Sequence, residues 1–119
     1  MKKDKFLVIG DPIKHSLSPI LHNYWFSKYK INSLYSKKKV KRKNLNKIIK
    51  DIKKKIYHGA NVTLPLKSSI ISHVDIITPL VRKTNSINTI YIKNGKLHGD
   101  NTDVFGLYYG ILNKIKKKM

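Results

Sequence analysis

Residues 87–100, INTIYIKNGKLHGD, set Asn94-Gly95 between two runs in which apolar and polar residues alternate. A two-residue type I′ turn needs positive φ at both central positions. Asparagine and glycine meet that need at low cost, so the stretch specifies an antiparallel hairpin. A lone hairpin cannot bury a face, and the rest of the chain supplies what it packs with. Residues 6–9 are a short apolar run closed by Gly10-Asp11-Pro12, which reads as a buried strand and a turn. Residues 33–36 and 60–64 read as two more strands. The basic block at 37–43 reads as a loop or a solvated edge.

Helical spacing separates these runs. Ser18-Pro19 opens a helix to about residue 30, with serine as N-cap and proline in the first turn. Its apolar positions are Leu21, Tyr24, Trp25 and Tyr29. Residues 44–57 repeat Leu45, Ile48, Ile49, Ile52 and Ile56 along one face, with lysines on the other. Shorter helices are expected at 67–73 and at 76–83, the latter with Pro79 in its first turn. A last helix is expected at 103–118, with Leu107, Tyr108, Ile111, Leu112 and Ile115 on one side. Strands alternating with helices, plus one hairpin, imply an α/β domain with a mostly parallel sheet.

Composition narrows the partners. The formal charge is +20, but all 26 basic residues except Arg42 and Arg82 are lysine. Bidentate recognition of phosphates and guanines favours the planar fork of arginine. Lysine, isoleucine and asparagine share AT-rich codons, so a drifting genome accounts for the basic balance. No specific nucleic-acid partner is expected, only loose polyanion binding at low salt. The six acidic residues are all aspartate, for which nothing in the sequence accounts. There is no cysteine, which excludes disulfides and thiolate chemistry, and the five histidines lack zinc-ligand spacing. No apolar run approaches the roughly 18 residues of a membrane span, and the 6–9 run is too short for a signal-peptide core. A cytoplasmic protein without membrane contact is the expectation.

Four segments gather small polar side chains where strands end: HSLSP at 15–19, NVTLPLK at 61–67, SINT at 86–89 and GDNTD at 99–103. Open α/β sheets bind ligands beyond the carboxyl ends of their strands. Ser16 and Ser18 precede a helix N-terminus, where exposed amides and the dipole favour an anion. Hydroxyls and amides suit a ligand rich in hydroxyl groups. The residue types therefore point to a small carboxylated polyol.

The stretches GDPIKHSLSP, GANVTLPLK, SINTI and GKLHGDNTDVFG resemble, in order and spacing, the N-terminal substrate domain of shikimate dehydrogenase over residues 6–110. The resemblance implies a three-layer αβα domain at 1–102 and the start of a linker helix at 103–119, truncated before a nucleotide-binding domain. It implies NADPH-dependent reduction of 3-dehydroshikimate to shikimate, a step of chorismate and aromatic amino-acid biosynthesis. Ser16 and Ser18 would then hold the substrate carboxylate. Thr63, Asn88 and Asp103 would bond the ring hydroxyls, with Asn61 supporting that wall. Lys67, acting with Asp103, would be the proton donor and acceptor. Asn85-Ser86 stand where the family usually has Gly-Ala, and asparagine tolerates the positive φ of that turn. No G-x-G-x-x-G occurs, so the NADP that the resemblance implies needs a nucleotide-binding half, whether or not a separate nucleotide-binding polypeptide supplies it, and without that half the chain is expected to be inactive. Two other readings compete: a non-catalytic remnant that binds shikimate or polyanions, and a basic nucleic-acid-binding protein with steep salt dependence.

Overall fold

The computed structural model describes residues 3–103, and the expected helix at 103–118 lies outside them apart from Asp103. Among the described residues six strands form one sheet: β1 (Asp4–Gly10), β2 (Ser33–Lys39), β3 (Gly59–Val62), β4 (Ile76–Ile77), β5 (Thr89–Lys93) and β6 (Lys96–Asp100). Their order across the sheet is β2-β1-β3-β5-β6-β4. β1 pairs in parallel with β2 and β3, and β4 pairs in parallel with β6. β5 runs against both of its neighbours. The sheet is mostly parallel, and the hairpin turns at Asn94 and Gly95 with φ of 53° and 72°, as a type I′ turn requires.

Alternation along β1 divides the interior. Leu7 and Ile9 face one core, packed with Leu45, Ile48, Ile49 and Ile52 of α2 (Leu45–Lys53). Ile70 and Val81 of the 3₁₀ turn Ser69–His73 and of α3 (Pro79–Thr84) close that same side. Val8 faces the other side, where Ile13 and Tyr35 are buried and Phe6 and Phe26 pack against them. Helices thus flank the sheet on both faces, which gives the expected three layers.

Several local expectations are corrected. Ile76 and Ile77 form strand β4, so the helix begins later, at Pro79, capped by Thr78 whose hydroxyl accepts from the Val81 amide at 3.4 Å. Of the two readings of the basic block, the solvated edge holds at Lys37–Lys39, which continue β2 at the sheet edge, where like charges discourage pairing with another chain. Helix α2 ends before Ile56, which is exposed. In α1 (Ser18–Lys28) Leu21, Tyr24 and Trp25 are exposed, as is Tyr29 just beyond it; His22 and Phe26 instead turn toward the sheet. Apolar residues surround this helix, so periodicity could not choose its inner face. Asn23 makes the choice visible: its Nδ2 donates to the Tyr35 carbonyl and its Oδ1 accepts from the Tyr35 amide, both at 2.8 Å, pinning the helix to the edge strand.

Candidate functional site

Because β5 alone is reversed, its start lies at the same end of the sheet as the finishes of β1, β3 and β6. Residues 86–89 therefore lead into a strand, whereas the other three polar segments lead out of one, and all four meet at that end. Gly10 lets the loops approach. A Cβ there would stand 2.4 Å from Thr63 Cγ2 and 2.8 Å from the Leu64 carbonyl oxygen.

At one side of this end, Ser16, Ser18 and Thr63 line a cleft of about 320 Å³ with Val8, Pro12, Ile13 and His15. Ser18 does not cap α1 through its side chain, contrary to expectation: the N-cap position is Leu17. The Ser16 Oγ instead accepts from the Ser18 amide at 3.3 Å. Burial pushes the Tyr35 phenol up to about 12, a shift that the nearby Ser18 side chain partly opposes.

On the other side stands a bonded cluster. Lys67 Nζ donates to Asp103 Oδ2 at 2.9 Å, and Asn88 Nδ2 donates to Asp103 Oδ1 at 2.9 Å. The Lys67 hydrogen bond, opposed by partial burial and joined by the Asn88 bond, holds the Asp103 carboxyl below the usual range. Asn88 is buried, and its Oδ1 accepts from the Thr102 amide at 3.0 Å, which fixes the amide orientation. Asn101 accepts from the Asp103 amide at 3.0 Å and donates to the Ser86 carbonyl at 3.0 Å, tying the loop after β6 to the turn before β5. Asn85 adopts φ 54°, so the turn survives its departure from glycine. Lys67 enters through the turn after β3, closed by the Leu66 amide on the Thr63 carbonyl at 3.0 Å.

The structure thus gathers the sequence-predicted residues into two neighbouring groups. Ser16, Ser18 and Thr63 share a cleft; Lys67, Asn88 and Asp103 share hydrogen bonds. Asn61 stands between them on β3, its Oδ1 accepting from the Tyr35 hydroxyl at 2.7 Å and its Nδ2 reaching Thr89 Oγ1 at 3.3 Å. Sequence reasoning missed Tyr35, which lies in no motif, and gave Thr89 no part although it closes the SINT segment. A carboxylate paired with a lysine beside hydroxyls and amides can hold a polyol and move a proton at a carbonyl oxygen.

Comparison with known proteins places this geometry. The family model for the shikimate dehydrogenase substrate binding domain matches residues 8–90. A shikimate dehydrogenase (NADP(+)) of Pelagibacter ubique is 48% identical over 104 residues, covering 87% of this chain and 39% of that protein. A crystal structure of shikimate dehydrogenase in complex with NADP+ superposes with a TM-score of 0.90 at 35% identity, over 96% of this chain and 40% of that one. The Listeria monocytogenes shikimate 5-dehydrogenase, solved with shikimate and NAD, gives 0.88 at 28% identity, over 94% of this chain and 39% of that one. The chain spans about two fifths of the length of these relatives. It belongs to the shikimate dehydrogenase family, whose substrate binding domain is the part that residues 8–90 match.

Proposed function

We propose that this chain supplies the substrate-binding and proton-transferring half of an NADP-dependent shikimate dehydrogenase, interconverting 3-dehydroshikimate and shikimate. The observation that carries the reading is the Lys67–Asp103–Asn88 cluster, set at the same end of the sheet as the Ser16–Ser18–Thr63 cleft. Ser16 and Ser18 donate to the substrate carboxylate, next to the amides that open α1. Thr63, Asn88 and Asp103 bond the ring hydroxyls. As the C3 ketone is reduced, negative charge grows on its oxygen. Lys67 stabilises that charge and delivers the proton, and in the reverse direction it takes the proton from the shikimate hydroxyl. Asp103, kept ionised by its low pKa, holds the lysine side chain in position for both directions.

NADP enters through the names of the relatives. Its pyrophosphate needs a glycine-rich turn between a strand and a helix, and no such pattern occurs among the six glycines. We assign no residue here to it; other residues, on this chain or on a separate polypeptide, hold the cofactor. Domain assignment follows the same reading: substrate domain at 1–102, linker helix from 103.

Titration of the 119-residue chain with shikimate, followed by NMR, tests the reading. Saturable shifts at residues 16–18, 63–67, 88 and 103 are expected, with no NADPH oxidation by the purified chain alone. No saturable shift at millimolar shikimate would overturn the substrate assignment.

A further inference from the structure

We propose that Tyr35 is a positioning residue for this site: a one-way chain of donors runs from its buried hydroxyl through Asn61, Thr89 and Asn88 to the Asp103 carboxylate, and sets how the Lys67–Asp103 pair is presented. The proposal rests on the function given above for that pair and adds a residue that no motif includes.

The chain has four links. Tyr35 Oη donates to Asn61 Oδ1 at 2.7 Å, and Asn61 Nδ2 donates to Thr89 Oγ1 at 3.3 Å. Thr89 Oγ1 donates to Asn88 Oδ1 at 3.0 Å, and Asn88 Nδ2 donates to Asp103 Oδ1 at 2.9 Å.

Chemistry forces each direction. A carboxylate only accepts, so Asn88 must turn Nδ2 toward Asp103. The backbone amide of Thr102 only donates, and it lies on Asn88 Oδ1. That oxygen then has only acceptor capacity to offer Thr89, whose hydroxyl must give its one proton there. Asn61 Nδ2 also faces the Asn88 carbonyl at 3.4 Å, which only accepts, so Asn61 turns Oδ1 to the phenol. Every donor therefore points toward Asp103. Hydrogen bonds aligned head to tail polarise one another and strengthen in a low-dielectric setting.

Tyr35 is built to be immobile. It is 4% exposed, its ring stacks on His22 at 4.2 Å, and Asn23 grips its backbone on both sides.

The experiment is a double-mutant cycle in the 119-residue chain with Tyr35→Phe and Thr89→Val, reading the titration midpoint of the Asp103 carboxyl by ¹³C NMR. Lys67 is the charged group that bears on this carboxyl among the described residues, and neither substitution touches it. Each single variant is expected to move the midpoint upward, and the double variant no further than the larger single, since both cut one chain. Shikimate affinity is expected to fall about 3- to 10-fold in each, the worth of one hydrogen bond. An unmoved midpoint in both single variants, or additive shifts in the double, would overturn the proposal. Should Tyr35→Phe fail to fold, Thr89→Val alone decides: an unmoved midpoint there overturns it equally. The midpoint needs no ligand, so an unmodified chain that fails to bind shikimate would remove the substrate reading and leave the coupling standing.

Discussion

Lys67 and Asp103, 36 positions apart in sequence, meet with Nζ 2.9 Å from Oδ2, and both side chains remain partly open to solvent. Neither is buried for packing. A pair held at that distance at an open sheet end, with the second carboxylate oxygen taken by Asn88, leaves the ammonium with donors to spare for a ligand.

Lys67→Ala is therefore expected to leave shikimate binding within a few-fold of the parent. In the enzyme reconstituted with its cofactor-binding residues, it should cost about 10²- to 10⁴-fold in turnover, the usual worth of a placed proton donor. The interaction strengthens mainly as the oxyanion forms, so kcat falls and KM barely moves. Steady-state kinetics of the variant check this, and undiminished turnover would remove Lys67 from the role.

Ser16→Ala and Ser18→Ala should each weaken shikimate binding by about 1–3 kcal/mol, the cost of leaving a charged acceptor short of a donor. Their effects on folding should be small. No side-chain bond caps α1 from Ser18, so the loss of about 1 kcal/mol that a true N-cap would show is not expected in thermal melts. Calorimetric titration separates the binding effect from the melts.

The depressed Asp103 pKa carries a sign. The folded carboxyl titrates below its unfolded value of about 3.9, so its stabilising contribution is complete above that pH. It is lost as pH falls through the lower, folded pKa. Comparing parent with Asp103→Asn by urea unfolding should show a constant stability gap at neutral pH that closes in acid. A gap that widens on acidification would contradict the assigned direction.

Gly10→Ala puts a methyl 2.4 Å from Thr63 Cγ2 and 2.8 Å from a backbone oxygen, contacts that only a shift of the 63–64 loop can relieve. Overpacking of this kind costs about 1–3 kcal/mol. Shikimate affinity should fall with stability, because Thr63 lines the cleft. Urea unfolding and NMR titration together test it.

Much of this was legible in the residues, for identifiable reasons. The Asn94-Gly95 hairpin and the Leu45–Ile52 face of α2 follow from local chemistry and periodicity, and both stand as read. The lysine-bearing turn after β3 and the loop after β6 declared themselves by unusual residue types. The inner face of α1 did not, because apolar side chains encircle it and only the grip of Asn23 on a distant strand decides. Thr78 rather than Ile76 opens α3, since two isoleucines beside β6 are worth more as strand than as a helical turn. Tyr35 was invisible for a different reason: its bond to Asn61 spans 26 positions and depends on strand order, which no local pattern encodes.

The reversed course of β5 has an architectural outcome for the hairpin. Thr89 pairs with Asp100 at the site end, while Lys93 pairs with Lys96 beside the turn. Both feet of the hairpin stand in the binding end, and its tip lies about 17 Å away, five residues of strand at about 3.4 Å each. A Cβ built at Gly95 would meet nothing within 4 Å. The tip is thus a free handle: a label, a tether or a lengthened loop grafted there travels with the domain while the chemistry at the far end goes undisturbed.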